Sequence, residues 1–208
     1  MNRQRLLFRL TLIGCISLLS LSACSAANEP TPTHAATNTD PVQVEIITTL
    51  GDMTLELYPS AAPNTVANFL RYVDEGFYED LIFHRVIAGF MIQGGGFNQD
   101  LQRQRTRPAI RNESNNGLSN QRGSIAMART QDPHSATAQF YINLAANPGL
   151  DARGRQPGYA VFGRVTNGLA VLDAIGAVAT TTQATSLGSM ADVPITPIIM
   201  QIRRKPAP

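Results

Sequence analysis

The chain has 208 residues, 43% of them hydrophobic and 15% charged, with a formal net charge of +2. That length suits one domain with extensions, and the apolar share suffices for a core. No basic run follows the first few residues, so the sequence carries no electrostatic footprint for nucleic acid.

In chain order, the first segment stands apart from any fold. Arg3, Arg5 and Arg9 precede an apolar run from Leu10 to Leu21 that contains no acid. This is the layout of a secretory signal, and the run is too short for a comfortable transmembrane helix. It ends in Leu21-Ser22-Ala23-Cys24, which resembles a bacterial lipobox. The resemblance implies a lipoprotein signal peptide over residues 1–23 and a lipid-modified Cys24; the alternative is a plain signal cut near Ala23. Several acyl chains on one N-terminus hold a protein stably at a bilayer, unlike a single chain. Loss of residues 1–23 removes three arginines and no acid, so the formal charge moves from +2 to −1. Cys15 leaves with the signal, and Cys24 alone allows no intramolecular disulfide. Residues 24–41 are rich in Ala, Thr, Asn and Pro without apolar periodicity, a flexible tether. Ser25 after the cysteine resembles lipoproteins sent to the outer membrane. The expected location is the bacterial cell envelope, lipid-anchored, on the outer membrane facing the periplasm where the source has two membranes.

A domain over residues 42–208 follows. Val42, Val44 and Ile46 alternate with polar residues, Leu50-Gly51-Asp52 turns the chain, and Met53 to Leu57 returns. Pro63 opens a helix at the position where its missing N–H costs nothing. Val66, Phe69, Leu70 and Val73 then form one buried face, and Gly76 stops it. Phe83 to Phe97 reads as two short strands with a glycine-bearing turn, ended by Gly94-Gly95-Gly96. Strict alternation puts Ile82, His84 and Val86 on one face and Phe83, Arg85 and Ile87 on the other. If the second face is buried, the Arg85 guanidinium must find partners. With Phe90, Met91 and Gln93 it outlines an apolar pocket with polar groups at its edge; the plain alternative is a core hairpin with a snorkelling arginine.

Residues 98–117 read as a long polar surface loop, with Arg103, Arg105, Arg107 and Arg111 as solvated charges. Gly123–Ala128, Gln139–Asn143, Val161–Val165 and Ile198–Ile202 read as strands. Leu169, Val171, Leu172 and Ile175 suggest a second short helix, and Thr180–Ser189 a Thr/Ser-rich loop. His34, His84 and His134 are scattered without partner cysteines, so no metal site is expected. The glycine run lacks the lysine and helix of a phosphate loop. Many short strands and two helices argue for a mainly β, antiparallel barrel.

The segments FHRVI, GFMIQGGGF, NNGL, RGSIAMART, SATAQFYIN and VFGRV, in that order between Val42 and Ile202, resemble the cyclophilins. These are prolyl isomerases, and the bacterial cell-envelope branch is the most similar. The resemblance implies a closed eight-stranded antiparallel β-barrel capped by two short α-helices. It implies peptidyl-prolyl cis-trans isomerase activity on proline-containing unfolded or exported polypeptides, with no cofactor. It makes Arg85 the catalytic donor to the prolyl nitrogen. Phe90, Met91, Tyr141 and Leu150 become the proline pocket, Gln93 holds a substrate carbonyl, Ala128 and Arg129 align the peptide, and Gln139 lies on the same edge. The sequence departs from many cyclophilins at Tyr141, where phenylalanine is usual, and at Tyr159, where histidine is usual. It also lacks a tryptophan near Gly149, which implies weak cyclosporin inhibition. No coiled coil or repeat points to an oligomer, so a monomer is expected. The rival reading is a non-catalytic proline-peptide binding module or holdase on the same scaffold, and a purely structural envelope lipoprotein is a weaker third.

Overall fold

The computed structural model describes residues 40–186 and 188–205. The expected signal over residues 1–23, Cys24 and the tether up to residue 39 lie outside them. Ten strands and two helices follow in chain order: β1 (Val42–Thr48), β2 (Gly51–Leu57), α1 (Pro63–Asp74), β3 (Leu81–Ile87), β4 (Met91–Asn98), β5 (Ser124–Met127), β6 (Phe140–Asn143), β7 (Val161–Asn167), α2 (Leu169–Gly176), β8 (Thr180–Thr185), β9 (Gly188–Pro194) and β10 (Ile199–Arg204). Eight of them close into a barrel in the order β1-β10-β3-β4-β6-β5-β7-β2, every pair antiparallel. Closure removes the unpaired strand edges that an open sheet would expose.

The alternation read in β1 holds. Val44 and Ile46 are fully buried, as are Met53, Leu55 and Leu57 across from them on β2. These side chains join Phe83, Ile125, Phe140, Phe162 and Met200 in one core inside the barrel. Helix α1 closes it through Phe69, whose ring packs on Tyr78, Phe140 and Phe162 at centroid distances of 5.3, 5.7 and 5.2 Å. Pro63 opens this helix and Gly76, at φ +67°, follows its end, both as the sequence indicates.

Two expectations need correction. Residues 180–189 are not a loop: β8 and β9 form a second, two-stranded sheet, and β9 lies along β3. The polar composition hid a hairpin whose exposed face demands no apolar alternation. The glycine run does not end its strand either. Gly94, Gly95 and Gly96 lie within β4, where Leu81 pairs with Asn98 and Phe83 with Gly94, so β4 carries two residues more than β3 over that stretch. Gly95 takes φ +80°, a conformation that glycine adopts without strain.

Asn98, at the start of the expected loop 98–117, belongs to β4; residues 99–117 have no regular element, yet they are fastened at several points. Ile110 bridges Ala136, Tyr72 Oη accepts from Arg107 N–H at 2.8 Å, and Arg107 pairs with Glu75, so it is not simply solvated. Most consequential is Glu113. The residue before α1, Ala62, has no side-chain oxygen to cap the helix. Glu113 Oε1 instead accepts from the N–H and side-chain amide of Asn64 at 3.1 and 2.8 Å, and Oε2 from the N–H and hydroxyl of Thr65 at 2.9 and 2.7 Å. A carboxylate thus sits on the orphan donors at the positive end of the helix dipole. Glu113→Ala is expected to lower stability by about 1–2 kcal/mol, as loss of a helix cap does, and Glu113→Gln by roughly half of that. Urea unfolding of the three proteins measures both.

Candidate active site

The barrel wall has an outside as well as an inside, and one outside patch is apolar. Directly paired residues on neighbouring strands share a face. Pairing runs from Arg85 (β3) to Gln93 (β4), then Tyr141 (β6), Ala126 (β5) and Val161 (β7), one row across five strands. Met91, Ala126, Tyr141 and Val161 are buried in a second cluster separate from the barrel core, with Ile87, Phe90, Leu118, Ala128, Leu150 and Tyr159 packed around it. Loops rather than a second sheet cover this patch.

Strict alternation along β3 fails at one place, and the failure creates the site. Phe83 pairs with Gly94 but Arg85 with Gln93, so β3 carries one extra residue, His84, at that step. Such a bulge re-aims the side chains beyond it. Phe83 and Val86 belong to the barrel core, whereas Ile87 packs in the outer cluster and Arg85 lines a cavity beside it. Phe83 and Arg85 therefore do not share a face, contrary to the alternation read from sequence.

The cavity is lined by Arg85, Phe90, Met91, Gln93, Ala128, Arg129, Tyr141, Leu150 and Tyr159. Its volume of about 150 Å³ is that of a void that admits a single small ring. Gln139 is not in its wall. It accepts from Gln93 Nε2 at 2.9 Å and lines an adjoining pocket with Arg103, Thr130, Ser135 and Thr137. Gly96 makes room for Gln139, since a Cβ there would come within 2.5 Å of its side chain. Arg103, read as a solvated charge, therefore borders this second pocket.

Tyr141 has the hydroxyl that phenylalanine would lack, and it is 4% exposed. The hydroxyl donates to Asn120 Oδ1 at 2.7 Å, and burial pushes its pKa well up. Asn120, itself buried, donates through its N–H and its side-chain amide to Asp151 Oδ1 at 2.7 and 2.8 Å. Partial burial raises the Asp151 pKa, but the bonds from Asn120 and Ser119 together with the Arg153 charge outweigh it, and the net shift is downward. Asn143 donates to Asn120 Oδ1 and to Ser124 Oγ, and Asn147 donates to Asn143 Oδ1 and to the Phe90 carbonyl. Sequence reading missed this amide network under the pocket. Its signal was present, because a buried tyrosine must find an acceptor.

The rim is held by Arg129. Its guanidinium donates to the carbonyls of Gly158 (3.2 Å), Pro157 (3.0 Å) and Thr130 (2.9 Å) and lies 4.4 Å over the Tyr159 ring. Tyr159 in turn meets Tyr141 edge-on at 5.8 Å. His134 does not line either pocket; its Nδ1 accepts from Asn112 N–H at 3.1 Å. No group of three His, Cys, Asp or Glu among the described residues is placed to hold a metal ion.

A small socket with aromatic and aliphatic walls, bordered by Arg85, Arg129 and Gln93 on the outside of a closed barrel, has the size and lining of a site for one ring-shaped group. Comparison with known proteins agrees. The family model described as "Cyclophilin type peptidyl-prolyl cis-trans isomerase/CLD" matches residues 43–201. Peptidyl-prolyl cis-trans isomerase A of Dickeya dadantii is 45% identical over 190 residues, 91% of this chain and 94% of that one. The isomerase cyp18 of Streptomyces antibioticus is 52% identical over 161 residues, 76% of this chain and 95% of its own. Among solved structures, a Cryptosporidium parvum cyclophilin-type isomerase in the presence of the dipeptide Ala-Pro superposes with a TM-score of 0.63 at 27% identity, covering 79% of this chain and 99% of that one. The chain belongs to the cyclophilin-type peptidyl-prolyl cis-trans isomerases. It is accordingly an enzyme of X–Pro isomerisation, and the non-catalytic binding module gives way to that reading.

His84, the bulge residue, is 3% exposed, and its ring meets Phe97 at a tilt with centroids 4.7 Å apart. Its Nδ1 has no hydrogen-bond partner among the described residues. Burial lowers its pKa to about 4, the bond to Ile82 opposes this, and the Arg85 charge adds to it. The folded pKa lies below the unfolded value, so the unfolded chain takes up the proton first as pH falls. The share of stability that depends on neutral His84 is therefore expected to be complete above pH 6.5 and to be lost as pH falls towards 4, about 3 kcal/mol in all. His84→Gln should remove this part of the slope, read as the difference in urea midpoint between the two proteins across that range.

Proposed function

We propose that Arg85 is the catalytic group and that the cavity beside it receives the proline ring. The observation that carries this reading is that Arg85, an always-charged donor, lines a ring-sized pocket with its terminal amino groups unengaged among the described residues, while the other lining arginine, Arg129, directs its donors to main-chain carbonyls. An X–Pro amide is held planar by resonance, with a barrier of roughly 18–20 kcal/mol. Turning it needs no nucleophile. The twisted amide has a nitrogen lone pair freed from conjugation, which can accept a hydrogen bond; the planar amide has none to offer. A donor placed at that nitrogen stabilises the twist alone, and such differential binding raises the rate. Phe90, Met91, Tyr141 and Leu150 hold the ring still while the acyl side turns. Gln93 engages a substrate carbonyl, and the strand edge at Ala128 and Arg129, continued by Gln139, aligns the peptide. Each ~1.4 kcal/mol of preference for the twisted form gives a tenfold rate gain, so few contacts are needed.

The substrates in this reading are unfolded, proline-containing chains that have crossed the inner membrane. The apolar run ending in Leu21-Ser22-Ala23-Cys24 supports export and lipid attachment at Cys24. A diacylglyceryl thioether with an acylated amine holds the domain at the envelope through residues 24–41 as a tether.

Cis/trans exchange of an Ala-Pro peptide, followed by NMR, tests the first assignment. The native protein should accelerate exchange, and Arg85→Ala should lose at least 100-fold, about 2.7 kcal/mol, with peptide still bound. An Arg85→Ala protein of native activity would remove the assignment. Labelling of bacteria expressing the full chain with an alkyne fatty acid tests the second. Label and membrane association should both vanish in Cys24→Ser; a soluble, unlabelled native protein would refute the anchor.

A further inference from the structure

An arginine side chain turns about several bonds, and a donor displaced by about an ångström loses much of its effect on a reacting group. What holds Arg85 in place comes from outside the barrel. Asp192 of β9 accepts from Arg85 Nε at 3.3 Å. No other hydrogen bond to that guanidinium occurs among the described residues. The two terminal amino groups, with four of the five N–H donors, thus have no intramolecular partner there. Asp192 itself does not line the cavity.

The hairpin is shaped to deliver this carboxylate. Thr181 pairs with Val193 and Gln183 with Met190, so β9 has one residue more than β8 between those pairs. Asp192 lies in that bulge at φ +62°, a left-handed conformation that aspartate, asparagine and glycine tolerate best. Its neighbour Val193 is buried and anchors the strand. Two bulges, at His84 and at Asp192, therefore meet at a single ion pair. The two side chains are 41% and 36% exposed, so water screens their attraction and little stability comes from it. The geometry serves orientation instead.

We propose that Asp192 is a positioning residue for X–Pro isomerisation. It occupies Nε and fixes the plane of the guanidinium, leaving the terminal N–H groups for the twisted amide. The inference rests on Arg85 being the donor.

Asp192→Gly removes the carboxylate and accepts the positive φ, while Asp192→Asn keeps an acceptor oxygen and tolerates the same backbone. Asp192→Gly should lower kcat about tenfold with peptide affinity changed less than twofold, and Asp192→Asn should recover most of the loss. In an Arg85→Ala background, Asp192→Gly should alter the residual rate less than twofold. In the unaltered protein, the Arg85 Nε–H should exchange with water at least tenfold more slowly than that of the exposed Arg105, a readout that needs no variant to fold. Unchanged kcat in Asp192→Gly, an equal loss in both backgrounds, a loss in affinity alone, or an Arg85 Nε–H as labile as that of Arg105 would each overturn the inference. Arg85→Ala with full kcat would overturn the donor assignment and this inference with it. A normal dependence on Arg85 with indifference to Asp192 would overturn only the latter.

Discussion

The site exists because one strand has one residue too many. In a regular strand, Phe83 and Arg85 would lie on the same side, and the barrel interior would have to take either both or neither. Burying an unpaired guanidinium among Phe69, Phe140 and Phe162 would cost several kcal/mol, and exposing Phe83 would open the core. The extra residue at His84 resolves the conflict by turning the strand between them. Phe83 stays in the aromatic core and Arg85 emerges beside the outer patch. The cost falls on His84, which is buried, neutral and short of one hydrogen bond among the described residues. An unpartnered imidazole nitrogen at the hinge of the site is the kind of local disadvantage that functional placement imposes.

Around that turn, the outer patch is made firm by polar groups rather than by bulk. Tyr141 forms the floor of the cavity, and its hydroxyl points into a chain of amides that includes Asn120, Asn143 and Asn147 and ends on Asp151. Each of these groups bonds to another, the buried Asn120 and Asn143 included, which makes such a network rigid. The same chain reaches the Phe90 carbonyl, so the floor and one wall of the cavity share a support. In the proposed role as a socket for the proline ring, the cavity needs this kind of stiffness, because discrimination by such a socket rests on shape.

Much of this was legible in the amino-acid sequence. The β1–β2 hairpin, the start of α1 at Pro63 and its stop at Gly76 follow from alternation and capping. The similarity of several ordered segments to cyclophilins implied the barrel, and the nine residues lining the cavity were all among those it singled out. What escaped were features with no local periodicity. The bulge at His84 leaves no mark on the hydrophobic pattern, since Phe83 and Ile87 are apolar whichever way they face. The β8–β9 hairpin is polar on its open side and reads as loop. The Glu113 cap joins residues 48 and 49 positions apart, which no window along the chain can register. Asparagines 120, 143 and 147 resemble ordinary turn residues until the fold gathers them.

Arg129 illustrates how a charge at a binding groove can be structural in its use. Its guanidinium is directed at three main-chain carbonyls and one aromatic face, so its donors serve the loops at residues 130 and 157–158. Viewed as an electrostatic feature, it would suggest a preference for acidic substrates. Viewed as a bracket, it is a flat, forked piece whose shape counts more than its sign. A lysine would preserve the charge but offer one point where the fork offers several. The contour of the candidate groove is thus written in the planarity of a side chain whose donors are taken up by the protein's own backbone.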